Sequence, residues 1–299
     1  MENLSKFYID GVWSQPNSGA TMPVLNPATE RQVGVVALGN AADVDAAVAA
    51  ASRAFASYSQ TTKAERLVFL GRLLKVTEAR FEDLAQAMSM EMGAPISMAR
   101  DAHADAAVGH LQGFIEALGQ LQERESLTSG DIQLREPIGV CGLITPWNWP
   151  MNQIALKVIP ALATGCTCVL KPSEHTPISA MIYAEIIHEA GFPAGVFNLV
   201  QGDGHTVGAA MSRHCDIQMM SFTGSTRAGT AVTRDAADTV KRVTLELGGK
   251  SPNLVFADCD LQDRVTAAVG DCMYNTGQSC DAPTRLLVER SCYDVAVEI

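Results

Sequence analysis

Three short stretches of this chain hold residue types that could do covalent chemistry. The first is Val243-Thr244-Leu245-Glu246-Leu247-Gly248-Gly249-Lys250. An acid within an otherwise apolar, strand-like run, followed by two glycines, does not read as a solvated face. Burial there would suit Glu246 to general-base work near neutrality. An acid salt-bridged at a strand end is the competing reading of that residue alone. The second stretch is Asn275-Thr276-Gly277-Gln278-Ser279-Cys280. A nucleophilic thiol needs partial exposure and polar neighbours. The polar turn around Cys280 supplies both, whereas Cys272 lies within the helical run Ala267 to Tyr274 and reads as a small buried hydrophobe. Asp281 follows and sets an acid beside the thiol. The third stretch is Leu143-Ile144-Thr145-Pro146-Trp147-Asn148-Trp149-Pro150. Two prolines and two tryptophans stiffen a turn just past a strand, and the Asn148 amide could meet a developing oxyanion. In isolation such an Asn more simply stabilises its turn.

Three further stretches place polar residues and glycines after strand-like runs. Phe222-Thr223-Gly224-Ser225-Thr226-Arg227-Ala228-Gly229 follows a strand and opens a helix, whose first amides favour a phosphate. Gly202-Asp203-Gly204 with Gly208 has one residue too many for the GxGxxG fingerprint. Lys171-Pro172-Ser173-Glu174 sits at another strand end. His103 and His110 share a helix with Asp101 and Asp105 but, seven residues apart, form no ligand pair on adjacent turns. They are expected on the surface, and no metal is expected. No nucleophile elbow supports a Ser-His-Asp triad.

These motifs must be positioned by the elements around them. Phe7 to Ile9 and Val12-Trp13 flank Asp10-Gly11, a hairpin signal. Val24-Leu25 before Asn26-Pro27, and Val33 to Val36, give two more strands. Apolar residues at helical spacing begin near Ala42, and Thr61 to Glu65 resembles a capping box that opens a second helix. Further helices are expected over Ala79 to Met92 and Ile96 to Leu118. From Arg135 the pattern changes. The strand-like runs Val140 to Thr145, Cys168 to Lys171, Val196 to Val200 and Met219 to Phe222 alternate with helical Asn152 to Thr164, Pro177 to Ala190 and His205 to Arg213. That alternation predicts an α/β fold with a doubly wound parallel sheet, which binds ligands at the carboxyl ends of its strands. The polar motifs follow those ends. Leu286 to Val288 gives a last strand, and a helix starting at Ser291 reaches Ile299 with no capping Gly, basic turn or Pro, so the natural chain is expected to continue.

The 299 residues are 47% hydrophobic and 18% charged, an ordinary balance for more than one globular domain. A net charge of -11, without any Lys/Arg run, argues against nucleic acid as a partner. No apolar run approaches membrane-spanning length, and the start lacks the basic flank and apolar core of a signal peptide. Eight cysteines without a CxxC pair read as reduced thiols, hence a cytoplasmic protein.

Pro-Trp-Asn at 146 to 148, Glu-Leu-Gly-Gly-Lys at 246 to 250 and Gly-Gln-Ser-Cys at 277 to 280 together resemble the aldehyde dehydrogenase superfamily, and the likeness covers essentially the whole chain. The resemblance implies a Rossmann-like NAD-binding domain over 1–247, with a bridging, oligomerising segment around 120–138. It implies that 248–299 begins a catalytic domain. Cys280 matches the nucleophile, Glu246 the water-activating base and Asn148 the oxyanion donor. Ile144, Thr145, Pro146, Trp147, Lys171, Ser173, Glu174, Gly204, Phe222, Thr223, Gly224, Ser225, Gly229 and Leu247 match the cofactor contacts. Trp149, Gln153, Tyr274 and Ser279 match the substrate tunnel. The implied activity is oxidation of a small-molecule aldehyde to an acid by a homo-oligomer, with NAD favoured over NADP because Glu174 would repel a 2′-phosphate. Two other readings stay open: an NAD-binding remnant without catalysis, and a CoA-acylating relative, against which Glu246 argues.

Overall fold

Asp10 and Gly11 take φ of 54° and 77°, and this left-handed pair turns β1 (Phe7–Ile9) back onto β2 (Val12–Ser14). β3 (Thr21–Asn26) and β4 (Arg31–Ala37) form a second antiparallel pair, as the Asn26-Pro27 turn predicts. The computed structural model describes residues 4–299. It falls into two compact units, the first ending at Leu245 and the second running from Glu246 to Ile299.

Helix starts are set by side-chain caps. α1 (Ala41–Tyr58) begins with a box at Asn40 and Asp43, each side chain accepting from the other's backbone N–H. α2 (Lys63–Ala79) begins with the box expected from the sequence. The Thr62 N–H donates to Glu65 Oε2 at 2.7 Å, and the Glu65 N–H returns to Thr62 Oγ1 at 3.2 Å. The helix expected to start at Ala79 is displaced: Arg80 leaves helical geometry, and α3 spans Phe81–Glu91. The long helix expected from Ile96 is one turn, α4 (Ile96–Met98), then a π-helical stretch Ala99–Ala104, then α5 (Asp105–Gln120). β5 (Arg124–Ser126) and β6 (Ile132–Leu134) form an antiparallel ribbon whose residues are all exposed.

The chain then alternates: β7 (Val140–Ile144), α6 (Pro150–Ala163), β8 (Thr167–Lys171), α7 (Pro177–Glu189) and β9 (Phe197–Leu199). A π-helical turn, Gly204–Gly208, leads into α8 (Ala209–Arg213), followed by β10 (Met219–Gly224), α9 (Thr226–Ala236) and β11 (Arg242–Leu247). The sheet order is β11-β10-β7-β8-β9-β1-β2. β10, β7, β8 and β9 are parallel, and β1 is added antiparallel to β9 with β2 at the edge beyond it. Every residue of β7 and β8 is buried, as in a sheet covered on both faces. The strand order reverses at β7, with β8 on one side and β10 on the other, which opens a crevice at their carboxyl ends.

The second unit holds β12 (Pro252–Val255), α10 (Leu261–Met273), β13 (Arg285–Val288) and α11 (Tyr293–Glu298). β12 and β13 pair in parallel, and α10 is capped by Asp260. Its buried core is small: Val255, Val265 and Ala296.

Candidate active site

A cleft of about 600 Å³ lies at the carboxyl ends of β7 and β10. Ile144, Glu174, Gly204 and Phe222 line it, all four expected cofactor contacts. Arg213, Arg227, Arg234, Asp203 and Asp235 line it as well. Arg227 was legible in its motif, but Arg213 and Arg234 were not, because their helices reach the cleft only through tertiary packing. Arg213 is paired with Asp235 at 2.9 Å. Of two glycines near the cleft, Gly224 alone has no room for a side chain. At Gly224 a side chain would meet the Phe222 ring at 2.6 Å, and Gly208 lies against Ile144 and Lys171. Ser225 caps α9 by accepting from the Ala228 N–H at 3.2 Å, and Gly229 is buried in its first turns. The Ser225 cap leaves other amides of that first turn directed along the axis toward the strand ends.

Lys171 is buried and its ammonium donates to the Pro172 carbonyl (2.8 Å), the Gly202 carbonyl (2.7 Å) and Glu174 Oε2 (3.2 Å). Burial lowers its pKa, and the Glu174 carboxylate opposes that shift. All three of its donors therefore have protein partners, and Glu174 is the member of the pair that reaches the cleft. Ser173 is buried and its hydroxyl accepts from the His175 N–H at 3.3 Å. On the neighbouring loop, burial raises the Asp203 carboxyl, but bonds from Thr206 and His205 outweigh it and leave the group lowered.

Past β7, Thr145 is buried with its N–H on the Lys171 carbonyl, Pro146 is half-buried, and Trp147 is exposed. Asn148 and Trp149 are half-buried just before α6, whose first residue is Pro150. Trp149 stacks on His103 with ring centroids 4.2 Å apart and planes 24° apart. His103 is fully buried, contrary to the surface position expected for it. The π-helical stretch 99–104 carries its ring inward, and the indole covers it. His110 is half-buried and meets Asn152 Oδ1 at 2.7 Å. Gln153, on the next turn of α6, accepts the Thr223 hydroxyl at 3.0 Å and so ties α6 to the end of β10. Lys157, one turn further, is buried and donates to Ser221 Oγ at 3.1 Å. This buried lysine, which the sequence hides within an apolar helical run, ties α6 to β10.

Glu246, Leu247, Tyr274, Ser279 and Cys280 belong to the second unit. Glu246 is exposed, on a strand that alternates exposed and half-buried residues, so the buried acid suggested by its apolar neighbours is absent. Leu247 is half-buried and Tyr274 is exposed. The Gly249 N–H donates to the Cys280 carbonyl at 3.2 Å, which fastens the Glu-Leu-Gly-Gly loop to the cysteine turn. That turn is unusual. Asn275, Thr276 and Gly277 are all left-handed, with φ of 51°, 55° and 72°. For Thr, a β-branched residue, this is strained. Asn275 is nevertheless buried, and its carbonyl accepts both the backbone and side-chain N–H of Gln278. The chain reversal exposes Cys280, leaves Ser279 half-buried and turns Asp281 to solvent.

Residues 13–299 match the model of the Aldehyde dehydrogenase family. The chain is 51% identical over 295 residues to a 3-succinoylsemialdehyde-pyridine dehydrogenase of Pseudomonas sp, covering 98% of this chain and 62% of that protein. It superposes on the crystal structure of an aldehyde dehydrogenase from Bartonella henselae with TM-score 0.96 at 50% identity, covering 98% of this chain and 62% of the other. A mutant aldehyde dehydrogenase C from Pseudomonas syringae, crystallised with NAD+ and octanal, gives TM-score 0.97 at 51% identity, with 99% and 61% covered. The chain thus spans less than two thirds of the length of these relatives.

Proposed function

Because the chain belongs to the aldehyde dehydrogenase family, we propose that it is the NAD-binding and nucleophile-bearing part of an NAD-dependent enzyme that oxidises an aldehyde to a carboxylic acid. The observation that carries the reading is the cleft at the β7–β10 switch point. Glu174 faces it, and the N-terminus of α9 lies at the same strand ends. Its volume suits a nucleotide moiety. The Glu174 carboxylate accepts hydrogen bonds from adenosine-ribose hydroxyls, and Lys171 holds it in place. A 2′-phosphate would meet that carboxylate at short range, which favours NAD over NADP. NAD complexes of solved relatives support the same choice.

NAD, when bound, accepts the hydride. The Cys280 thiolate attacks the aldehyde carbon to give a thiohemiacetal. The Asn148 amide and the Cys280 backbone N–H hold its oxyanion. Loss of hydride converts the thiohemiacetal to a thioester on Cys280. Glu246 takes a proton from water, whose oxygen attacks the thioester carbon. The acid leaves and the thiol is restored. The left-handed turn at Asn275 to Gly277 supports this role, because it presents the thiol outward on a strained, hydrogen-bonded loop. Trp149, Gln153, Tyr274 and Ser279 are assigned to substrate contact. A water-activating acid at position 246 favours hydrolysis over acyl transfer to CoA.

The test is NADH formation, read by its absorbance, on adding propanal and NAD to protein carrying this chain. Turnover that disappears in Cys280→Ala while NAD binding persists supports the reading. Undiminished turnover in that variant would refute it. NAD binding without turnover in either protein would favour the non-catalytic NAD-binding alternative.

A further inference from the structure

We propose that the turn after α8 is a zinc(II) site formed by His214, Cys215 and Asp216. One donor atom from each of these residues lies within 4.8 Å of the others. An imidazole, a thiol and a carboxylate are the three ligand types that zinc takes in proteins. None of the three lines the nucleotide cleft, and three consecutive donors carry none of the spacing that marks a ligand pair in a sequence.

The hydrogen bonds of His214 decide which nitrogen is available. The Asp216 N–H donates to His214 Nδ1 at 3.1 Å. A backbone amide can only donate, so Nδ1 carries the lone pair and the ring proton of the neutral imidazole is on Nε2. Nε2 faces Asp45 Oδ1, at 3.5 Å, on α1. A ligating histidine with its second nitrogen directed at a carboxylate is the arrangement that fixes ring orientation and strengthens the metal bond. Nδ1 is therefore the ligand atom and Asp45 its support. Zinc bonds of about 2.0–2.3 Å place tetrahedral ligands roughly 3.3–3.8 Å apart. Metal binding must close the three donors from within 4.8 Å to that spacing, at the expense of the Asp216 N–H bond. The remaining position is open to water.

The charges around the turn favour a dication. Cys215 as thiolate, Asp216 and Asp45 contribute three negative charges, and Lys241 one positive. The Lys241 ammonium is held on the His214 carbonyl at 2.5 Å. Burial lowers its pKa, with Cys215 acting in the opposite direction. Cys215 and Asp216 are exposed, so metal can enter from solvent. Binding releases the thiol proton to solvent and involves no redox change.

The experiment titrates the purified chain, first with cobalt(II) as a spectroscopic probe and then with zinc(II) against a chromogenic chelator. A sulfur-to-cobalt charge-transfer band should saturate at one equivalent. It should be lost in Cys215→Ser and His214→Asn but kept in Cys280→Ser. Zinc affinity should fall at least tenfold in Cys215→Ser, and about 10–100-fold in Asp45→Asn, where all three ligands remain. Thermal unfolding of the metal-free variants checks their fold. A band that survives in Cys215→Ser, one that follows Cys280, or no band at one equivalent would overturn the proposal.

Discussion

Glu174 reaches the cleft at the carboxyl ends of β7 and β10 because Lys171, with all three ammonium donors engaged, holds its carboxylate there. The motif Lys-Pro-Ser-Glu was legible in the sequence, but the division of labour within it was not, since only the fold brings the Gly202 carbonyl to the Lys171 ammonium. Hydrogen bonds to a charged group contribute about 1.5–3 kcal/mol. Glu174→Gln should therefore weaken NAD binding by roughly tenfold or more and narrow the preference for NAD over NADP. Titration of both dinucleotides measures this, and an unchanged ratio would contradict the assigned contact. Glu246 teaches the opposite lesson. Its apolar neighbours suggested burial, yet alternation along β11 turns it to solvent. Residue type and spacing identified the acid; its environment depends on what packs over the strand. His103 erred in the other direction, because its burial comes from a π-helical stretch and a stacked indole that no helical periodicity encodes.

At the scale of elements, the parallel strands and their helices were legible because buried strands read as short apolar runs between turn residues. The β5–β6 ribbon was not, since its strands are three residues long and all of their residues are exposed. One element-level device was also hidden. The buried Glu91 of α3 caps α7, its carboxylate accepting from the Ile178 N–H at 2.5 Å, the Ser179 N–H at 2.9 Å and the Ser179 hydroxyl at 2.5 Å. Glu91→Ala should cost about 2–4 kcal/mol in denaturant unfolding, because two buried amides lose their acceptor. Burial pushes the Glu91 carboxyl up from 4.5 to about 7, against those hydrogen bonds. The folded state then holds this proton more tightly than the unfolded chain does. The contribution is full below pH 4.5 and declines as pH rises through about 7. Stability measured at pH 5 and pH 8 should show that decline, and Glu91→Ala should lack this component.

At the scale of the molecule, the two units differ in what holds them. The first has a sheet buried on both faces, whereas the second relies on two short parallel strands and a core of Val255, Val265 and Ala296. Phe256, Met273, Tyr293 and Val297 are exposed in it. Short parallel pairs with so little buried area have low local stability. Amides of β12, α10 and β13 should therefore exchange with deuterium at least about tenfold faster than those of β7 and β8. Equal protection would contradict this account.

The central claim is that Cys280 carries the substrate and Glu246 releases it, and a single-turnover experiment reaches both. Glu246→Gln is mixed with NAD and octanal, NADH is followed, and the protein mass is then recorded. One equivalent of NADH and an octanoyl mass on the peptide containing Cys280 are expected. NADH formation with no acyl group on that peptide would contradict it.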